Sequence, residues 1–106
     1  MPSYHDPEGS HAMTEAEIDE IITGFVESAV RAQQCGFDGV ELFAAYHAII
    51  DQFWLPWSNR RTDQWGGSLE NRLRFGAEIM RRIRAAVGDR FVIGLAVSVE
   101  IGRAHV

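Results

Sequence analysis

The chain has a single cysteine, Cys35, so it can build neither an intramolecular disulfide framework nor a multi-cysteine metal site. Positive charge is also scarce: 10 Lys and Arg stand against 15 Asp and Glu, a formal charge of −5 at pH 7. No basic face remains to neutralise phosphates, which excludes a general nucleic-acid binder. The arginines alternate with Glu and Asp and read as paired or solvated. No apolar run approaches the roughly 20 residues of a bilayer span. The opening MPSYHDPEGSHAM lacks the basic and apolar regions of a secretory signal. The expectation is a soluble, cytoplasmic protein with no nucleic-acid or membrane partner. At 106 residues and 46% hydrophobic, the chain has room for one small globular domain.

Residues 1–13 have loop composition, with two prolines, one glycine and polar residues, and are expected to stay irregular. Thr14-Glu15-Ala16-Glu17 has the form of a capping box. Ile18, Ile21, Ile22, Phe25, Val26, Ala29 and Val30 then recur at three and four. This predicts a helix from Thr14 to Cys35, stopped by Gly36. Gly39 to Phe43 is a short strand. Ser68 caps a second helix, whose stripe is expected to be Leu69, Leu73, Gly76, Met80, Ile83 and Val87. Gly88 closes it, and Phe91 to Val97 is an unbroken apolar strand. A strand-helix-strand crossover with apolar strands implies a parallel sheet covered on both faces. Two strands and two helices cannot complete such a sheet, so the pattern predicts a piece of a larger α/β protein. Periodicity alone leaves a barrel and an open doubly wound sheet equally open.

The stretch from Val40 to Arg72, VELFAAYHAIIDQFWLPWSNRRTDQWGGSLENR, joins the first strand to the second helix. A connection this long, dense in Trp, Tyr, His, Arg and Asp, is unusual in a compact domain and reads as functional. Within it, Asn59-Arg60-Arg61-Thr62-Asp63 is expected to be architectural. Asn and Asp suit turns, and Arg forks can tie the loop to carboxylates such as Asp51 and Glu70, with Arg72 alongside. Glu41 shares side-chain parity with Phe43 and should point to the same face of the sheet, in a structural role. Cys35 is expected to be an inert, at least half-buried thiol.

At GFDGVEL, DQF, NRRTD and GGSLENRLRF the sequence resembles the old yellow enzyme-like flavin oxidoreductases. That family includes ene-reductases, 2,4-dienoyl-CoA reductases and trimethylamine dehydrogenase. The likeness runs from Met13 to Ser98 and implies a partial FMN-binding (β/α)8 barrel over residues 14–98. The chain would then supply about a quarter of a barrel of roughly 250 residues. Barrel active sites lie at the C-terminal ends of the strands, which places Phe43, Tyr46 and His47 at that mouth.

The resemblance also marks departures. Family ene-reductases carry His/His or His/Asn where this chain has Phe43 and Tyr46, and a tyrosine proton donor where it has Ala48. Without them no agent in this segment polarises an enone or protonates its α-carbon. Aromatic groups suit an N-methyl cation better. ELFAAYHAIIDQFW looks most like the branch that demethylates N-methylated amino acids such as N-methylproline or dimethylglycine. The resemblance therefore implies a parent enzyme passing hydride from an N-methyl C–H bond to FMN. Tyr46 and His47 are the candidate catalytic residues. Phe43, Tyr46, Trp54 and Trp57 are the candidate substrate-binding residues. The family's flavin-edge arginine matches Ala96, so no cofactor-binding residue is assigned, and no metal ligand is expected in this segment. An iron–sulfur cluster and a nicotinamide or second nucleotide cofactor would belong to other parts of the parent, which is expected to be homo-oligomeric. The alternatives are a fragment of an ene- or dienoyl-CoA reductase, or an inactive remnant. Residues 99–106 are expected to be a non-family tail, because IGRAHV resembles the translation of a sequencing-adapter sequence.

Overall fold

A computed structural model describes residues 12–46 and 48–98 of the chain. The order is α1 (Glu15–Gln34), β1 (Gly39–Ala44), α2 (Ile49–Trp54), α3 (Leu69–Val87) and β2 (Val92–Val97). The two strands pair in parallel, with Gly39 opposite Val92 and Ala44 opposite Val97. Residues 1–11 and 99–106, and with them the expected terminal loop and tail, lie outside the described residues, as does His47.

The start of α1 follows from its sequence. Thr14 Oγ1 accepts from the Glu17 N–H at 3.1 Å, and Glu17 Oε1 accepts from the Thr14 N–H at 2.9 Å. Two donors that a helix start leaves bare are thereby satisfied. Gly36, at φ 94°, turns the chain out after Cys35 in a conformation a side chain would resist. At α3, Ser68 caps the Asn71 N–H at 3.1 Å.

One core joins the three helices to β1, with Ile93 of β2 partly buried against it. Ile18, Ile22 and Ala29 from α1 meet Leu42 and Ala44 from β1, Ile50 and Phe53 from α2, and Phe75, Ile79, Ile83 and Val87 from α3. Strand alternation divides β1. Leu42 and Ala44 are buried under the helices, while Glu41 and Phe43 are exposed on the opposite face. The helices α1 and α3 are tied side by side by Gln33 Nε2 to the Val87 carbonyl at 2.8 Å and Arg82 to Asp19 at 2.9 Å.

Three expectations need correction. The long connection is not wholly irregular, because α2 lies inside it and makes three helices rather than two among the described residues. Its start, Ala48, offers no side-chain cap, so no local signal announced it. The buried face of α3 is turned from the expected stripe: Phe75 and Ile79 are fully buried, while Leu69 and Leu73 are 60% and 41% exposed. Stacking of Phe75 on Phe53, centroids 4.1 Å apart, sets this rotation. Cys35 is exposed rather than buried. As a piece of a larger sheet should, β2 is left uncovered: Val92, Leu95 and Val97 are exposed, and β1 is its one strand neighbour among the described residues.

Candidate active site

Parallel strands deliver their exits to one edge of the sheet, and the exit of β1 carries most of the candidate residues. Phe43 points away from the helix layer and is 53% exposed. Ala44 and Ala45 are buried behind it, and Tyr46 emerges 81% exposed. The rings of Phe43 and Tyr46 lie 6.1 Å apart at 33°. This is a tilted aromatic pair within the usual range for ring contact. It faces out of the sheet rather than into the core.

Tyr46 reaches this position through an uncommon backbone. Its φ is 53°, the one positive value at a non-glycine position among the described residues. The Tyr46 N–H donates to Ser98 Oγ, just past the end of β2, at 3.1 Å. The Ala48 N–H closes the turn onto the Ala45 carbonyl at 3.0 Å. Beside the pair, Ala96 stands opposite Phe43 in register. Glu41 lies along Gly94 on the same face, its Oε2 3.9 Å from where a Gly94 Cβ would sit.

The two candidate tryptophans separate. Trp54 packs against the core, its indole facing Gly76 of α3, and its buried Nε1 has no hydrogen-bond partner among the described residues. Trp57, 50% exposed, sits past the end of α2. The structure therefore brings Phe43 and Tyr46 together and gives Trp54 to the helix packing. Ser98 had no signal in the sequence, because its contact joins residues 52 apart.

The NRRTD run is scaffold in this structure. Asn59 is buried, and its side-chain amide donates to the Phe53 and Trp65 carbonyls at 2.7 and 2.8 Å while its Oδ1 accepts from the Arg61 N–H at 3.1 Å. The arginines of the run reach groups close to them. Arg61 grips Asp63 with two bonds of 3.1 and 2.6 Å and reaches the Met13 carbonyl at 2.6 Å. The Arg61 guanidinium holds the Asp63 carboxyl below the usual carboxylate range. Arg60 donates to the Trp57 carbonyl, and Arg72 binds the Trp54 and Gly67 carbonyls. No group of His, Cys, Asp and Glu suited to a metal is found among the described residues.

A helix-covered parallel strand pair with a long anchored loop between its strands is a segment of an α/β fold. The chain belongs to the NADH:flavin oxidoreductase / NADH oxidase family, whose model matches residues 4–103. It is 52% identical over 83 residues to N,N-dimethylglycine/sarcosine dehydrogenase of Chromohalobacter salexigens, covering 78% of this chain and 12% of that protein. Among solved structures it resembles histamine dehydrogenase from Rhizobium sp. 4-9, with TM-score 0.83 and 38% identity over 89% of this chain and 15% of that one. It also resembles morphinone reductase in complex with tetrahydroNAD, with TM-score 0.79 and 36% identity over 88% of this chain and 25% of that one. The chain thus spans a quarter or less of each of these relatives, and its fold is a piece of their TIM barrel. Among the described residues no helix is long and apolar enough to cross a membrane.

Proposed function

We propose that the segment forms one side of the substrate mouth of an FMN-dependent oxidoreductase that demethylates N-methylated amino acids. The observation that carries this reading is the Phe43–Tyr46 pair, exposed at the exit of β1 with ring centroids 6.1 Å apart. Two π faces suit an N-methyl cation, which an aromatic ring attracts by about 0.5–2 kcal/mol according to its desolvation. They supply no pair of donors for an oxyanion. The 52% identity to a protein named N,N-dimethylglycine/sarcosine dehydrogenase supports the same choice.

The residues present fit the ring end of FMN rather than its phosphate. Ala96 stands beside Phe43 in register near the strand exits, with no bulky side chain between them and the flavin ring, and the phosphate would be held by loops of later strands. Bound FMN would supply the hydride acceptor for an N-methyl C–H bond, and water would hydrolyse the resulting iminium to formaldehyde and the demethylated amine. Within the segment, Phe43 and Tyr46 hold the methylated nitrogen. Tyr46 or its neighbour His47 orients the amine or takes its proton. Trp57 flanks the entrance, and Trp54 acts from behind by fixing α2.

A second reading, an ene- or dienoyl-CoA reductase, draws support from the likeness to morphinone reductase. The residues at 43, 46 and 48 weigh against it, because Phe, Tyr and Ala replace the expected donor set. The deciding experiment measures the full-length enzyme carrying this segment on dimethylglycine and N-methylproline against a cyclic enone. Formaldehyde release from the amines with no enone reduction is expected. Enone reduction without formaldehyde would overturn the demethylase reading.

A further inference from the structure

The backbone ladder between β1 and β2 ends at Ala44 and Val97. One more cross-strand bond lies past it and uses a side chain, Ser98 Oγ accepting from the Tyr46 N–H at 3.1 Å. The bond falls on the residue whose φ is 53°. A left-handed backbone costs a non-glycine residue about 1 kcal/mol and persists where its surroundings fix it. Here two contacts do so: the Ser98 hydroxyl on the Tyr46 amide, and the Ala48 N–H on the Ala45 carbonyl at 3.0 Å. Releasing the first would let Tyr46 relax toward the ordinary region and swing its ring away from Phe43.

We propose that Ser98 is a positioning residue for substrate binding, its hydroxyl holding the Tyr46 amide and so setting where the Tyr46 ring stands over the mouth. This rests on the placement of Tyr46 in the substrate cage. Ser98 acts through Tyr46 and contributes no group to the chemistry. The hydroxyl is suited to this task because it accepts from the amide and still has its own proton to donate.

The test uses the full-length enzyme with dimethylglycine and compares wild type, Ser98→Ala, Ser98→Thr, Tyr46→Ala and the Ser98→Ala/Tyr46→Ala double variant. Losing one hydrogen bond of about 1 kcal/mol corresponds to roughly a five-fold rise in KM for Ser98→Ala, with kcat little changed. Ser98→Thr should restore the wild-type value. In the Tyr46→Ala background, Ser98→Ala should add nothing further, since the side chain it positions is gone. Amide hydrogen exchange at residue 46 should quicken in Ser98→Ala independently of turnover. An unchanged KM and exchange rate in Ser98→Ala, or an equal KM penalty with and without the Tyr46 side chain, would overturn the inference. If Tyr46→Ala alone leaves KM unchanged, the placement of Tyr46 in the cage falls instead. If dimethylglycine is not oxidised, the demethylase reading falls, and the same five proteins are scored by KM for the enone.

Discussion

The indole N–H of Trp65 lies 3.0 and 2.9 Å from the two carboxylate oxygens of Glu15, so the far end of the long loop grips the first turn of α1. The Gln64 side chain adds a third bond to the same carboxylate, and Arg61 holds the Met13 carbonyl just before the helix. Trp65 itself is buried, edge-on to Phe75 at 6.4 Å. Replacing Trp65 by Phe keeps most of the apolar body and removes the donor to a charged acceptor. A loss of about 1.5–3 kcal/mol in unfolding free energy is expected. Glu15→Gln, which keeps an acceptor, should cost less, and urea denaturation of the two variants checks the order.

Asn59 predicts a larger effect. Truncation to Ala leaves the Phe53 and Trp65 carbonyls and the Arg61 N–H without the partner they now share. Each unpaired buried group costs about 1–3 kcal/mol. Asn59→Asp should not rescue the site, because it removes both donated bonds. Limited proteolysis within residues 55–66 should accelerate in both variants.

Gly39 should accept no side chain. A Cβ there would stand 2.5 Å from the Val92 carbonyl oxygen and 2.7 Å from the Val92 Cβ. Both obstacles belong to the paired strand, so relief requires β1 and β2 to separate. Gly39→Ala is expected to destabilise by at least about 2 kcal/mol, on the scale of overpacking in a core. Loss of cooperative thermal unfolding would be the observable result.

Glu78 supplies a pH-dependent contribution. Its hydrogen bonds to Arg81 and Arg82 lower the carboxyl from 4.5 to about 2. Arg82 continues to Asp19, so the cluster spans α3 and α1. A pKa depressed in the folded state means stability that is present above pH 4.5 and lost as the pH falls toward 2. Wild type should therefore exceed Glu78→Gln in urea midpoint at pH 6, and the gap should close between pH 4.5 and 2. A constant gap across that window would contradict the assignment.

The 106-residue chain on its own should neither retain FMN nor remain monomeric. Val92 is 62% exposed, Leu95 and Val97 are exposed on the same strand, and Leu69 and Leu73 lie open on α3. Apolar surface beside an unpaired strand edge favours self-association. Gel filtration coupled to flavin absorbance checks both parts, a yellow monomer being the contrary result.

What the sequence disclosed follows the range of the forces involved. The Thr14–Glu17 box, the Ser68 cap and the stops at Gly36 and Gly88 depend on residues within a turn of each other, and the helix bounds were legible to a residue. Alternation put Glu41 and Phe43 on one face of β1, and it took the barrel resemblance to say which way that face looks. The face that α3 buries was not legible, because it depends on Phe53 reaching Phe75 from another element. The helix α2 hid for a different reason: six residues beginning after Ala48 carry too little periodicity and no cap. That helix in turn moves Trp54 from the loop surface into the packing. The turn at Tyr46 was also invisible, since nothing near it in sequence demands a left-handed backbone and its partner arrives 52 residues later.

The arginine and asparagine bonds of residues 59–72 end almost wholly on main-chain carbonyls and amides or on neighbours within that stretch. Bonds to backbone do not depend on which side chains the preceding residues carry. The exposed positions between Phe43 and Trp57 can therefore be varied, within the packing limits of Ala44, Ala45, Ile50, Phe53 and Trp54, while the far attachment stays put. In engineering terms this is a graft site, where a library varying Phe43, Tyr46 and Trp57 would retune selectivity without redesigning the anchor.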